Sequence, residues 1–209
     1  MIDRAILALT AALALGAAGG PAPAGAAPAA QRFAIVPAES QVTYRVNETF
    51  VREGNRLNTA VGTTSAVKGE IVVDRAAPRN SRIGPVTVDL STFRSDSTRR
   101  DRAIRERWLE SSRYPIAEFR AAELEGLPAA VREGEEVRLR VAGQLKIRDV
   151  TRTVAFDVTL TLEGTTLRGE ARTAIRMTDF GFEPPSILGI LRAENEVRLE
   201  FRFTARPPS

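Results

Sequence analysis

An enzyme built on this chain would have to work with carboxylates, two tyrosines or two lysines, Lys68 and Lys146, because histidine and cysteine are both missing. Their absence excludes a Ser-His-Asp triad, a thiolate nucleophile, an axial haem histidine and an ordinary zinc centre. Acid–base chemistry by carboxylates needs a pair aimed at one cavity. The acidic strand residues Glu118, Asp157 and Glu170 instead share the polar register of their strands, so a carboxylate-based hydrolase is the weaker alternative. Asp179-Phe180-Gly181 matches the magnesium-binding tripeptide of kinases, but neither a glycine-rich loop nor a catalytic loop accompanies it. Gly181 reads as a turn after a strand. We therefore assign no catalytic residue, no metal and no cofactor, and read the chain as a binding protein.

The elements that position the remaining side chains are strands. Alternation with a period of two, the mark of a strand with one dry face, runs through most of the chain. Val137, Leu139, Val141, Leu145 and Ile147 oppose Arg138, Arg140 and Lys146. Val154, Phe156, Val158, Leu160 and Leu162 follow, and Val197, Leu199, Phe201 and Phe203 close the series. Strand centres at Val42, Val67, Val86, Phe119, Val141, Val158, Ile175 and Leu199 predict an all-β, eight-stranded antiparallel barrel. The links at Arg148-Asp149 and Glu163-Gly164 are short enough for hairpins.

One amphipathic helix interrupts the strands, in a long connection over Arg99 to Glu110. Thr98 and Asp101 are spaced as a capping box, Arg102 and Glu106 as a solvated pair, and Pro115 ends the helix. Ile104 and Trp108 share one face.

A closed eight-stranded barrel either fills with side chains or holds one small ligand. Strand parity places Tyr44, Val46, Val67, Ile71 and Val88 inside. It does the same for Phe119, Val141, Gly143, Leu145, Phe156 and Val158, and for Ile175, Leu199 and Phe201. With Trp108 from the helix, these are the candidate ligand contacts. Gly69, Gly143 and Gly169 fall on the inward register, either leaving lumen volume open or bending the sheet. A hollow apolar lumen selects an elongated hydrocarbon, since burial stabilises by roughly 0.8 kcal/mol per methylene. Trp108 and Tyr114 are candidates for its mouth, with Arg99, Arg100 and Arg102 to meet a headgroup; the plainer reading has Trp108 anchoring the helix beneath solvated arginines.

Composition sets the context. The formal charge is +4, carried mostly by arginine. A GC-rich genome explains that as simply as attraction to an anionic membrane surface or a phosphate headgroup. Nucleic acid is not expected, because stacking aromatics are sparse. Arg4, the apolar run Ala5 to Ala18 and Ala-x-Ala sites ending at Ala24 and Ala29, with Ala27 and Ala30 as other ends, read as an export signal. The run is about 14 residues, short of the roughly 20 of a spanning helix. Residues 1–30 are thus signal and lead-in, 31–209 one lipid-binding barrel domain, periplasmic or secreted. The main rival is a small outer-membrane barrel, which shows the same alternation turned inside out; one Trp and two Tyr supply its aromatic girdles poorly.

Several segments together resemble the YceI-like family of polyisoprenoid-binding, lipocalin-like periplasmic proteins. Ser40-x-Val42-x-Tyr44-x-Val46 is similar to its opening strand, and Val67-Lys68-Gly69-Glu70-Ile71 with Asp74 to its second. Val86-Thr87-Val88-Asp89-Leu90, Ser95-Asp96, Arg100-Asp101 and Tyr114-Pro115 before Phe119 resemble the middle. Val141-x-Gly143-x-Leu145, Val150-Thr151-Arg152-x-Val154, Asp179-Phe180-Gly181 and Glu196-Val197 complete the match, from about Phe33 to Ala205. Histidines common in the family, after the opening strand and in the central hairpin, are replaced by Asn47-Glu48 and Arg148-Asp149. The resemblance implies a periplasmic binder of isoprenoid lipids such as ubiquinone or polyprenyl phosphates.

Overall fold

In the computed structural model, residues 30–187 and 190–208 are described. The signal and lead-in expected over residues 1–30 lie outside them except for Ala30, which is the first residue of β1. The chain forms strands β1 (Ala30–Ile35), β2 (Gln41–Phe50), β3 (Arg56–Thr64), β4 (Val67–Lys68) and β5 (Glu70–Asp74). Next come β6 (Arg82–Ile83), β7 (Val86–Asp89), β8 (Arg94–Ser95), helix α1 (Thr98–Ala103), a π turn (Ile104–Trp108) and β9 (Ile116–Glu125). The rest are β10 (Glu136–Ile147), β11 (Val150–Glu163), β12 (Thr166–Arg176), β13 (Ser186–Ile187), β14 (Leu191–Ala193) and β15 (Glu196–Arg206).

Every pairing is antiparallel, and the ladder closes on itself. It runs β4–β7–β9–β10–β11–β12–β15; β15 then pairs with β1 through Ile35 and Ala205, and β1 pairs with β5, the continuation of β4. The expected barrel is present, though its strands are broken into more segments than the eight expected. Each of the eight expected centres lies in a strand. The longer segments without an expected centre are β1, which closes the ladder, and β3, whose Thr-rich sequence with Gly62 lacks a clean apolar alternation, yet which pairs with β2 along its whole length.

Parity decides the faces. Val137, Leu139, Val141, Leu145 and Ile147 are buried, while Arg138, Arg140 and Lys146 stand exposed. Each such burial contributes roughly 1.5–3 kcal/mol. Outside, arginine and glutamate alternate across strands, as in Glu200–Arg202 at 2.8 Å and Glu170–Arg202 at 3.5 Å. A transmembrane barrel needs the opposite arrangement, apolar outward. Phe33, Val67, Leu162, Leu167 and Ala205 close one end of the barrel in a solid cluster, and α1 with the π turn lies at the other.

The hairpins form where expected. Ile147 pairs with Val150 across Arg148-Asp149, and Glu163 with Thr166 across Gly164-Thr165. Gly181 has φ 77° and caps a 3-10 turn over Met177–Phe180 that follows β12. The helix differs from expectation. Ser97, not Thr98, is the N-cap, accepting from the Arg100 N–H. Asp101 does not complete a capping box; its carboxylate accepts from the Ser95 N–H at 2.9 Å and Ser95 Oγ at 2.6 Å, in the preceding strand. The α-helix ends at Ala103 and widens into the π turn, so Arg102 and Glu106 no longer stack one turn apart and form no ion pair among the described residues.

Three inward glycines, Gly69, Gly143 and Gly169, open no space of their own into the lumen. An ideal Cβ on Gly143 would fall 2.2 Å from the Arg120 carbonyl oxygen and 2.8 Å from the Phe119 ring. The cause is a bulge: the β9 register slips between Ala142 and Gly143, and the β9 backbone presses onto the glycine. At Gly169 the Phe203 ring would stand 2.6 Å away, and at Gly69 the Ile35 side chain 2.9 Å. Gly62 repeats the device: a Cβ added there would fall 2.3 Å from the ring of its cross-strand partner Tyr44. In this barrel a strand glycine makes room for a neighbouring aromatic or backbone, which favours the bending alternative.

Candidate lipid-binding cavity

Where the two halves of the barrel wall do not touch, they enclose a cavity of about 600 Å³. That volume suits a ligand of drug size or a folded hydrocarbon chain. The wall is built by register. Val141, Val158 and Ala171 meet across β10, β11 and β12, with Phe119 and Phe156 packed edge to face at 4.9 Å beside them. Val46, Val88, Leu145, Ile175 and Leu199 form the part nearer the helix, and Ile71 and Phe201 the part nearer the closed end. Trp108 comes in from the π turn with Ala103, Ile104 and Leu109. A second stretch of wall, including Ile83, Leu124 and Val131, follows the seam where β6 and the end of β9 face each other without pairing.

Most of the candidate contacts read from parity therefore stand on this wall, and three residues do not. Val67 is fully buried in the solid cluster at the closed end. Gly143 is covered by β9 for the reason given above. Arg102 is exposed and off the wall, because it points away from the face shared by Ile104 and Trp108. Tyr114, the other candidate for the mouth, is also off the wall and packs against Arg113 and Arg148, with guanidinium-to-ring distances of 4.9 and 5.8 Å.

Polar side chains gather at the helical end. Arg99 is exposed there; Arg100 is largely buried. The Arg100 guanidinium donates to Glu48 Oε2 at 3.3 Å and is also paired with Asp96. Asn58 donates to the same Glu48 oxygen at 3.1 Å. Although burial pulls the Arg100 pKa down, Glu48 and Asp96 outweigh it and hold it above the ordinary value. Burial pushes the Tyr44 phenol up to about 12, with Arg100 pulling the other way. Tyr44 thus remains a neutral hydrogen-bond donor at every ordinary pH. Its ring meets Phe93 at 5.4 Å. Glu48 was noted in the sequence only as replacing a family histidine and was not among the candidate contacts, although the alternation Tyr44, Val46 continues directly to it; a charged residue broke the apolar pattern. Asp157 and Glu170 border a shallow groove on the outside, whereas Glu118 borders the main cavity and pairs with Arg120 at 2.6 Å, so the three carboxylates of the hydrolase alternative do not meet at one cavity.

A second ion pair fastens the helical segment to the rim. Arg148 meets Glu110 at 2.5 Å and donates to the Trp108 carbonyl at 3.3 Å. Arg148 and Glu110 both adopt left-handed backbone, φ 57° and 47°, which is uncommon for residues with a side chain.

Residues 33–205 match the YceI-like domain family. The chain belongs to the YceI-like family. Solved structures of the same fold include Burkholderia cenocepacia BcnA, 20% identical, covering 81% of this chain and 98% of its own, with a TM-score of 0.62. A polyisoprenoid binding domain from Saccharophagus degradans, implicated in plant cell wall breakdown, is 14% identical over 85% of this chain and 99% of its own, TM-score 0.63. The Campylobacter jejuni YceI protein is 16% identical over 71% and 85%, TM-score 0.57. No curated protein matches in sequence. The YceI-like assignment agrees with the closed ladder and its single short helix; at these identities the structural likeness speaks for the fold alone.

Proposed function

We propose that this YceI-like chain is a non-enzymatic carrier that holds an isoprenoid or other long-chain apolar lipid inside its barrel. The observation that carries this reading is the largely apolar cavity of about 600 Å³, with Tyr44, Glu48 and Arg100 grouped at its helical end and Arg82, Glu118 and Glu200 bordering it from β6, β9 and β15. That arrangement orients an amphiphile: hydrocarbon toward Val141 and Val158, headgroup toward the helix. The polyisoprenoid named for the Saccharophagus degradans domain supports the same ligand class. The signal-like first 30 residues support release into the periplasm. Protein recovered from a periplasmic extract is expected to begin between Gly25 and Phe33 and to release a prenyl lipid on organic extraction, read by mass spectrometry. Protein that starts at Met1, or yields no apolar molecule after native purification, would count against this function.

The carrier would meet a membrane at the helical end. Of the five large apolar side chains left exposed among the described residues, four, Val51, Leu57, Ile187 and Ile190, lie on the β2–β3 hairpin or the β13–β14 hairpin beside it, and Ile116 lies on β9. Ile187 and Ile190 also line the cavity, so the apolar surface is continuous from rim to lumen. Arg52, Arg99 and Arg192 are exposed in the same region and suit an anionic bilayer. Leu57 is 79% exposed, so Leu57→Asp is expected to leave Tm nearly unchanged. It should weaken co-sedimentation with phosphatidylglycerol vesicles by roughly tenfold, within the worth of one buried leucine. Undiminished sedimentation would remove this face from the proposal.

A further inference from the structure

The cavity's polar end contains one buried cation already answered by two anions. Arg100 is 18% exposed and lies between Glu48, 7% exposed, and Asp96. Asp101, 5% exposed, sits beside them on Ser95. Glu48 and Asp96 thus flank Arg100 from two sides and balance this buried cation, while Arg99 and the other rim arginines face solvent. A phosphate entering here would meet a guanidinium whose charge is spent and a carboxylate it cannot displace without leaving that carboxylate buried and unpaired. A neutral headgroup meets neither obstacle. It also finds a donor: the Tyr44 hydroxyl, on the cavity wall, has no hydrogen-bond partner among the described residues. The ring is held in place over Gly62 and against Phe93.

We propose that Glu48 and Tyr44 set the headgroup preference of the cavity, admitting prenyl lipids with an uncharged hydrogen-bond-accepting head and rejecting their phosphates. This rests on the carrier reading and adds which headgroup it takes. Two expectations from the arginines are thereby separated: Arg100 is a neutralised structural partner, and the positive charge of the helix does not select an anion.

The test uses displacement of the apolar fluorophore N-phenyl-1-naphthylamine from the purified protein by geranylgeraniol and by geranylgeranyl monophosphate, which share one hydrocarbon chain. The wild-type protein is expected to bind the alcohol at least about tenfold more tightly than the phosphate. Glu48→Gln keeps the shape and removes the charge, and should move that ratio toward the phosphate by about tenfold or more. Asp96→Asn, at a side chain 79% exposed, removes a charge from the same guanidinium with little risk to folding and should move the ratio in the same direction by less. Tyr44→Phe should lower affinity for the alcohol roughly fivefold relative to the fluorophore, the value of one neutral hydrogen bond. Equal or tighter binding of the phosphate by the wild-type protein, or a ratio that neither charge-removing variant shifts, overturns the inference while leaving the carrier intact. Failure of both lipids to displace the fluorophore, or of the fluorophore to bind, overturns the carrier reading and the inference together.

Discussion

Ala171→Phe is expected to lower affinity for a prenyl lipid by about two orders of magnitude while the barrel stays folded. Ala171 stands on the cavity wall among Val141, Val158 and Phe201, and it is the smallest side chain of that cluster. A phenyl ring there occupies space otherwise available to the ligand. If it displaces four methylenes, about 3 kcal/mol of burial is lost, which is a factor of more than one hundred in Kd. The ring enters an existing cavity, so the overpacking cost of a filled core does not apply in full. Titration with a prenyl lipid beside a thermal melt checks both halves. A folded variant that still binds at wild-type affinity would place the ligand outside the lumen.

The second large effect concerns stability. Gly143→Ala should cost about 1–3 kcal/mol, and Gly143→Leu more, read as a fall in Tm and in the urea midpoint. The obstacle is backbone: the added Cβ would fall 2.2 Å from the Arg120 carbonyl and 2.9 Å from the Ala121 Cα, and neither can swing aside as a side-chain end could. Relief requires the bulge between β9 and β10 to open, with loss of ladder hydrogen bonds. The sequence left Gly143 with two readings, open lumen volume that a larger side chain could fill or a bend in the sheet. In the structure the glycine has no lumen in front of it. Tolerance of Gly143→Leu without loss of Tm would mean that β9 does not press on β10 in this way.

The same two positions show how far the sequence reached. Alternation put Ala171 and Gly143 on the same inward register, and that was correct for both. Parity states which side of a strand a residue faces, because successive Cβ atoms point to opposite faces. It is silent about what stands opposite. Ala171 faces space and Gly143 faces a carbonyl because β9 carries one residue more than β10 at the bulge, a slip between strands whose own patterns look regular. Val67 is the parallel case at the closed end. It faces inward as expected, but there Phe33, Leu162 and Leu167 meet from across the barrel and leave no room for a ligand.

By itself the sequence determined the barrel, its hairpins, the inward set and the absence of histidine or cysteine chemistry. All of these depend on residue type or on contacts close along the chain. The cavity's extent, the β3 strand and the state of the arginines were decided only in three dimensions. β3 is a strand because β2 supplies its hydrogen bonds, not because its own side chains demand it. Arg100, which stood among free headgroup cations in the sequence, is paired because Glu48 is brought from 52 positions away to within 3.3 Å. A charge is an attractor only when nothing else answers it, and whether something does is a property of the folded barrel.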